Sequence, residues 1–160
     1  MNRLFGSLLL ALFASSPANA KDLRGRFAAG FNQQFGHVPA ISGRYALPTN
    51  SHAINVQLEA NFGFDTVSVD TGGNVFTGAR LIYGVVAEDN MNLFFAGGAG
   101  VLTSNEQSTV RLQPAMGADI FFFGLENLAL TLEWGLNLDM GDTPRTSTTA
   151  AMGAGAHYWF

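Results

Sequence analysis

The stretch Leu128-Ala129-Leu130-Thr131-Leu132-Glu133-Trp134-Gly135-Leu136-Asn137-Leu138-Asp139-Met140 decides the fold. Its even positions are all large and apolar, and its odd positions are small, polar or charged. Successive side chains of an extended strand point to opposite faces, whereas a helix would scatter these leucines around its circumference. The period of two therefore predicts a strand with one apolar and one polar face.

The same period recurs on both sides of this stretch. Ile54, Val56, Leu58, Ala60, Phe62 and Phe64 alternate with Asn55, Gln57, Glu59, Asn61 and Gly63. Val110, Leu112, Pro114, Met116, Ala118, Ile120 and Phe122 alternate with Thr109, Arg111, Gln113, Ala115, Gly117 and Asp119. Residues 152–160 set Met152, Ala154, Ala156, Tyr158 and Phe160 against Gly153, Gly155, His157 and Trp159. Four noisier segments complete the set. Residues 23–32 place Leu23, Phe27 and Phe31 against Arg24, Arg26 and Asn32, and residues 39–47 place Ile41, Tyr45 and Leu47 against Ser42 and Arg44. In residues 75–86 and 91–102 the alternation is broken by Phe76, Ile82, Phe94 and Leu102. Eight strands are predicted, with turn-rich connections at 33–38, 48–52, 65–74, 87–90, 103–108, 123–127 and 143–147. The second, fourth and sixth connections are short and the third is the longest. Pro114 falls inside a strand and cannot donate to a ladder, which predicts a bulge or local bend.

Composition restricts what such a sheet can be. Of 160 residues 48% are hydrophobic and only 12% charged, about half the usual charged share. The single lysine is Lys21. An acidic balance, formal charge −4, without basic runs argues against nucleic-acid binding. The absence of cysteine excludes disulfides, thiolate metal sites and a thiol nucleophile. Residues 1–20 read as a cleaved export signal: Arg3, a short apolar run from Leu4 to Phe13, and a small-x-small site at Ala18 and Ala20. Residues 21–160 then form one barrel domain.

Alternation alone leaves open which face meets water. A soluble secreted barrel binding a small lipophile puts its apolar face inside, and an outer-membrane barrel puts it against lipid. The polar face is built of Gly, Ala, Asn, Gln and Thr with few charges, which suits the cramped interior of an eight-stranded barrel better than bulk water. The apolar faces match the 9–11 residues a tilted strand needs to cross a bilayer. Aromatics sit toward strand ends (Tyr45, Phe62, Phe64, Phe122, Tyr158, Phe160), as in interfacial girdles.

With its leader, eight alternating segments and a last strand ending in Phe160, the chain resembles the small eight-stranded outer-membrane β-barrels of Gram-negative bacteria. The resemblance implies an all-β, antiparallel up-and-down transmembrane barrel in the outer membrane. It also implies that Met152, Ala154, Ala156, Tyr158 and Phe160 form an assembly signal read by the barrel-insertion machinery. Closure follows from physics, because a strand edge in hydrocarbon leaves backbone groups unpaired. An even strand number puts both termini on one side, the periplasm, with short turns there and longer loops outside.

Parity sends Arg24, Arg26, Arg44, Arg80 and Arg111 inward together with Glu59, Asp119, Glu133 and Asp139, and His157 joins this set. Charges in a narrow interior should pair. Glu59 and Arg80 lie at similar distances from the third connection and are predicted to form an ion pair. Such a network reads as a polar filling that fixes register, or as the gate of a narrow passage. Some barrels of the resembled family modify lipid A with a Ser/His/acid set. Here His37, His52 and His157 are scattered, Glu133 is the one acid conceivable beside His157, and no inward serine stands out, so neither a catalytic nor a metal site is expected. Gly97, Gly98 and Gly100 mark a close interior approach, and Gly72-Gly73 a turn, rather than a phosphate loop. The outer loops carry Asp70, Glu106, Asp142 and Arg145 and are short for a binding platform. The expected protein is a monomer of structural or narrow-pore function without cofactor, whose partners are outer-membrane lipids, lipopolysaccharide and the insertion machinery.

Overall fold

The structure, a computed structural model, describes residues 21–33, 39–50, 55–65, 73–104, 107–122, 124–141, 145–148 and 153–160. Ala18 and Ala20 of the predicted leader lie outside these residues, as do His37, His52, Asp70, Gly72, Glu106, Asp142 and Met152. The strands are β1 (Phe27–Asn32), β2 (Ala40–Ala46), β3 (Asn55–Asp65), β4 (Asn74–Ala87), β5 (Met91–Ser104), β6 (Gln107–Phe122), β7 (Leu125–Met140), β8 (Arg145–Thr148) and β9 (Gly153–Trp159). From β1 to β7 each strand pairs antiparallel with the next. β9 then pairs with β7 on one edge and β1 on the other, and the sheet closes as a barrel. β8 runs along β7 beyond β9, so nine strands make eight staves.

The eighth stave departs from expectation. It begins inside the predicted seventh connection and changes register along β7, with Leu136 opposite Thr148 but Glu133 opposite Gly153. Two more residues lie between those points on the eighth stave than on β7. The predicted alternation of connection lengths turns on residues 51–54, 66–72, 105–106 and 142–144, which lie outside the described residues. One end carries the termini and the connections 47–54, 88–90 and 123–124. The other carries 33–39, 66–73, 105–106 and 141–144.

Pro114 does not make the expected bulge. β6 and β7 pair at Leu112–Leu138 and again at Ala115–Gly135 in the same register, with Gln113 and Pro114 unpaired between them. The missing N–H interrupts one side of the ladder, while Pro114 stays opposite Gly97 on β5. Bulging occurs instead at Val85, where the β4–β5 register shifts and both Val85 and Val86 turn outward. A second shift lies between Phe121 and Phe122.

Inside and outside follow the parity of the sequence. On β7, Leu130, Leu132 and Trp134 are exposed on the outer face, Trp134 by 56%, while Thr131, Glu133 and Asn137 are buried. The same inversion holds around the barrel, with Phe31, Ile41, Leu58, Phe62, Leu81 and Phe95 outside and Arg44, Glu59, Arg80 and Asp119 inside. The residues that broke the alternation are the apolar part of the filling. Ile82 and Phe94 pack with Ala96 and Ala115, and Phe76 packs with Leu102.

The terminal end is closed by a third apolar group: Leu23, Ala28, Ala46, Phe121, Ala129 and Trp159. This corrects the expectation for residues 23–26. They precede β1 instead of belonging to it, so parity does not govern them. Leu23 is buried at the barrel end rather than exposed outside. Gly25 adopts φ 71°, a value that favours glycine, and turns the chain so that it folds over the end. Arg24 and Arg26 hold the rim instead of pointing into the interior. Arg24 donates to Asp22 and to Thr49 O, and Arg26 to Asn127 Oδ1, Trp159 O and Phe160 O.

Candidate functional site

The charged interior is built from strands that neighbour one another and from strands that face across the barrel. In the ladder, Arg44 on β2 lies opposite Glu59 on β3, and Glu59 opposite Arg80 on β4. Glu59 Oε2 accepts from Arg44 Nε and Arg80 Nε, each at 3.0 Å. The predicted Glu59–Arg80 pair is therefore present, and Arg44 shares the same carboxylate. Both guanidinium groups then reach across the interior. Arg44 Nη1 donates to Asp119 Oδ1 and Oδ2 on β6 at 2.9 and 3.1 Å. Arg80 Nη1 and Nη2 each donate to a Glu133 oxygen on β7 at 2.6 Å. Arg44 Nη2 also lies 3.5 Å from Glu133 Oε1.

Two cations face three carboxylates in this belt, all of them buried. The excess of negative charge is met by neutral donors. Thr131 Oγ1 donates to Asp119 at 2.6 Å, Ser42 Oγ to Glu59 Oε1 at 2.7 Å, and Asn32 Nδ2 to Glu59 Oε1 at 3.3 Å. Buried ions are tolerated only when paired and hydrogen-bonded in this way. Arg111 makes a two-point pair with Asp139 directly opposite it on β7, at 2.6 and 2.8 Å, and Gln113 Nε2 donates to Asn137 Oδ1 at 2.9 Å.

Room for these long side chains comes from glycine. A Cβ on Gly98 would collide with Arg80 Cβ and come within 2.6 Å of Ala79 O. At Gly100 it would lie 2.6 Å from the Phe76 ring. These are the close approaches expected of the glycine cluster. Gly97 points outward and has nothing within 4 Å of that position.

Ser42 is the functional-looking residue that sequence reasoning passed over. It is inward on β2, and its Oγ lies 2.9 Å from His157 Nε2 on β9. Serine, histidine and an acid thus meet after all, with Glu59 rather than Glu133 as the acid. The order of the contacts matters more than the inventory. With Glu59 ionised, the Ser42 proton goes to Glu59, so the His157–Ser42 bond must be donated by Nε2–H. An activated serine needs the reverse, an imidazole that accepts its proton. His157 Nδ1 meets no hydrogen-bond partner among the described residues, so no acid orients the ring. All three residues are also buried, out of reach of a substrate. The signal that could have revealed this contact is that residues 30 and 42, like 30 and 157, share a ladder row across β1.

Among the described residues no three His, Asp or Glu side chains form a group able to hold a metal ion. The belt carboxylates are occupied by arginines. Comparison with known proteins gives no match, whether to a protein-family model, a curated protein or a solved structure.

Proposed function

We propose that this chain is an outer-membrane β-barrel of Gram-negative bacteria with a structural role in the envelope. The observation that carries the reading is the inversion of the sheet, with leucines and aromatics outside and an arginine–carboxylate belt inside. An outer face of this composition in water would be an aggregation liability, whereas in a bilayer it is the solvated face.

The rims support the same reading. The three tyrosines, Tyr45, Tyr83 and Tyr158, are exposed and lie toward the end that carries the termini. There Phe160 packs edge-on to Tyr158 at 5.2 Å and beside Phe27 at 6.4 Å. Phe62 and Phe64 pack together near the opposite rim. Amphipathic aromatics concentrate where headgroups meet hydrocarbon. On this reading the terminal end faces the periplasm and Ala154, Ala156, Tyr158 and Phe160, with Met152, serve as the assembly signal. The outer face meets lipid and lipopolysaccharide. A lipophile carrier is disfavoured because the interior wall presents charges and amides rather than an apolar cavity.

Fractionation tests the proposal. The protein should be recovered with the outer membrane, require detergent or lipid to fold, and run faster on a gel before boiling than after. A compact monomer that stays soluble with no surfactant would overturn it.

A further inference from the structure

We propose that residues 21–26 form a lid: they seal the terminal end of the barrel and lift while the barrel itself stays closed, exposing Trp159 and the interior behind it to water. Its test is run in detergent and so rests on the membrane reading, whose own failure shows separately as folding without surfactant.

The segment is joined to the barrel wall lightly. It contains no strand, and among the described residues its backbone bonds to the wall are Gly25 N–H to Ala46 O at 2.8 Å and Ala46 N–H to Arg26 O at 3.0 Å. The bond from Arg26 N–H to Leu23 O is internal to its own turn. The barrel wall is tied differently, since β5 pairs with β6 along its entire length. Seating rests on Leu23, which is 2% exposed against Trp159 and Phe121. Charged clasps lie at the rim. Lys21 Nζ sits 5.1 Å above the Phe121 ring and 3.7 Å from Glu126, whose side chain is 83% exposed. Arg24 and Arg26 bind the carbonyls and side chains given above. Ion pairs at a wetted rim are weak and screened by salt, and segments held by few buried contacts open independently of the structure they cover.

What lies under the lid gives the opening a purpose. Gln57 Oε1 and both amide atoms of Asn92 have no hydrogen-bond partner among the described residues, while Gln57 Nε2 donates to Asn55 Oδ1, and each residue is 1% exposed. Gln57 lies opposite Ala46, a residue of the seal. Asn92 lies opposite Asp119, two residues along β6 from Phe121. Buried amides left unpaired are costly and call for a partner. Water admitted past the lid supplies such a partner.

The chain has no cysteine, so Leu23→Cys introduces a single thiol. In the barrel purified in detergent, a neutral maleimide should modify Leu23→Cys more slowly than Asp22→Cys, while the unboiled gel band shows the barrel still folded. Modification of Leu23→Cys only at the rate of barrel unfolding would overturn the lid. A second arm uses Trp134→Phe, which leaves Trp159 as the only tryptophan. Acrylamide quenching of Trp159 should rise severalfold when Leu23→Ala is added and the folded band is retained. Unchanged quenching, or loss of the folded band, would make these residues a fixed part of the wall instead.

Discussion

Arg80 on β4 and Glu133 on β7 meet across the middle of the barrel through two hydrogen bonds of 2.6 Å, although 53 residues separate them. Neighbouring strands are already tied by their ladders. A contact between strands three apart fixes something the ladders leave free, the diameter and roundness of the closed sheet. Arg44 and Asp119 make a second such crossing from β2 to β6. Glu59 anchors both arginines at the near wall.

Removing one end of this crossing should cost more than removing both. Glu133→Ala leaves Arg80 buried without its two-point carboxylate partner, at about 3 kcal/mol of unfolding free energy. Arg80→Met with Glu133→Met replaces the pair by apolar groups and should cost less than the sum of the two single changes. Urea titration followed by gel mobility of the folded band measures all of these. Strict additivity would mean that the two side chains do not act as a unit.

Adjacent glycines provide a steric contrast. Gly98→Val drives a side chain into Arg80 and the β4 backbone, a clash expected to cost about 1–3 kcal/mol. Gly97→Ala adds a methyl where nothing lies within 4 Å and should be near neutral. The same titration distinguishes them, and equal effects would contradict the assignment of faces.

Ser42 should behave as a hydrogen-bonding filler. Ser42→Ala removes a donor to Glu59 and an acceptor for His157, at about 1–2 kcal/mol. A fluorophosphonate probe should leave Ser42 unmodified in the folded barrel. Covalent labelling at Ser42 would reopen the catalytic reading.

The outer face can be questioned by a single charge. Leu132 lies midway along β7 and is 39% exposed. Leu132→Arg should lower stability in lipid vesicles by about 2–4 kcal/mol. On a surface facing water the same change is expected to be close to neutral. The size of the loss in vesicles therefore reports what that face touches.

An interior filled by the belt and sealed at the terminal end predicts no steady current in a planar bilayer. Glu59→Ala loosens both arginines and is the variant most apt to flicker open. If neither protein conducts, the narrow-pore reading is retired and the structural role stands.

The alternation in residues 54–64, 109–122 and 128–140 predicts strands and their two faces, and equal distance from the third connection predicts the pairing of Glu59 with Arg80. These are consequences of a period of two and of distance from a turn, both local properties of a chain. Closure decided the rest. Which inward residues meet across the interior depends on the stagger of the closed sheet, and no single strand carries that information. Arg44 therefore reaches Asp119, Ser42 reaches His157, and Phe76, Ile82 and Phe94 become filling rather than errors of pattern. Leu23, Arg24 and Arg26 lie elsewhere than parity predicts, for a related reason. Parity assumes a strand, and this segment gains its position from the apolar end of a barrel that exists only once all eight staves have joined.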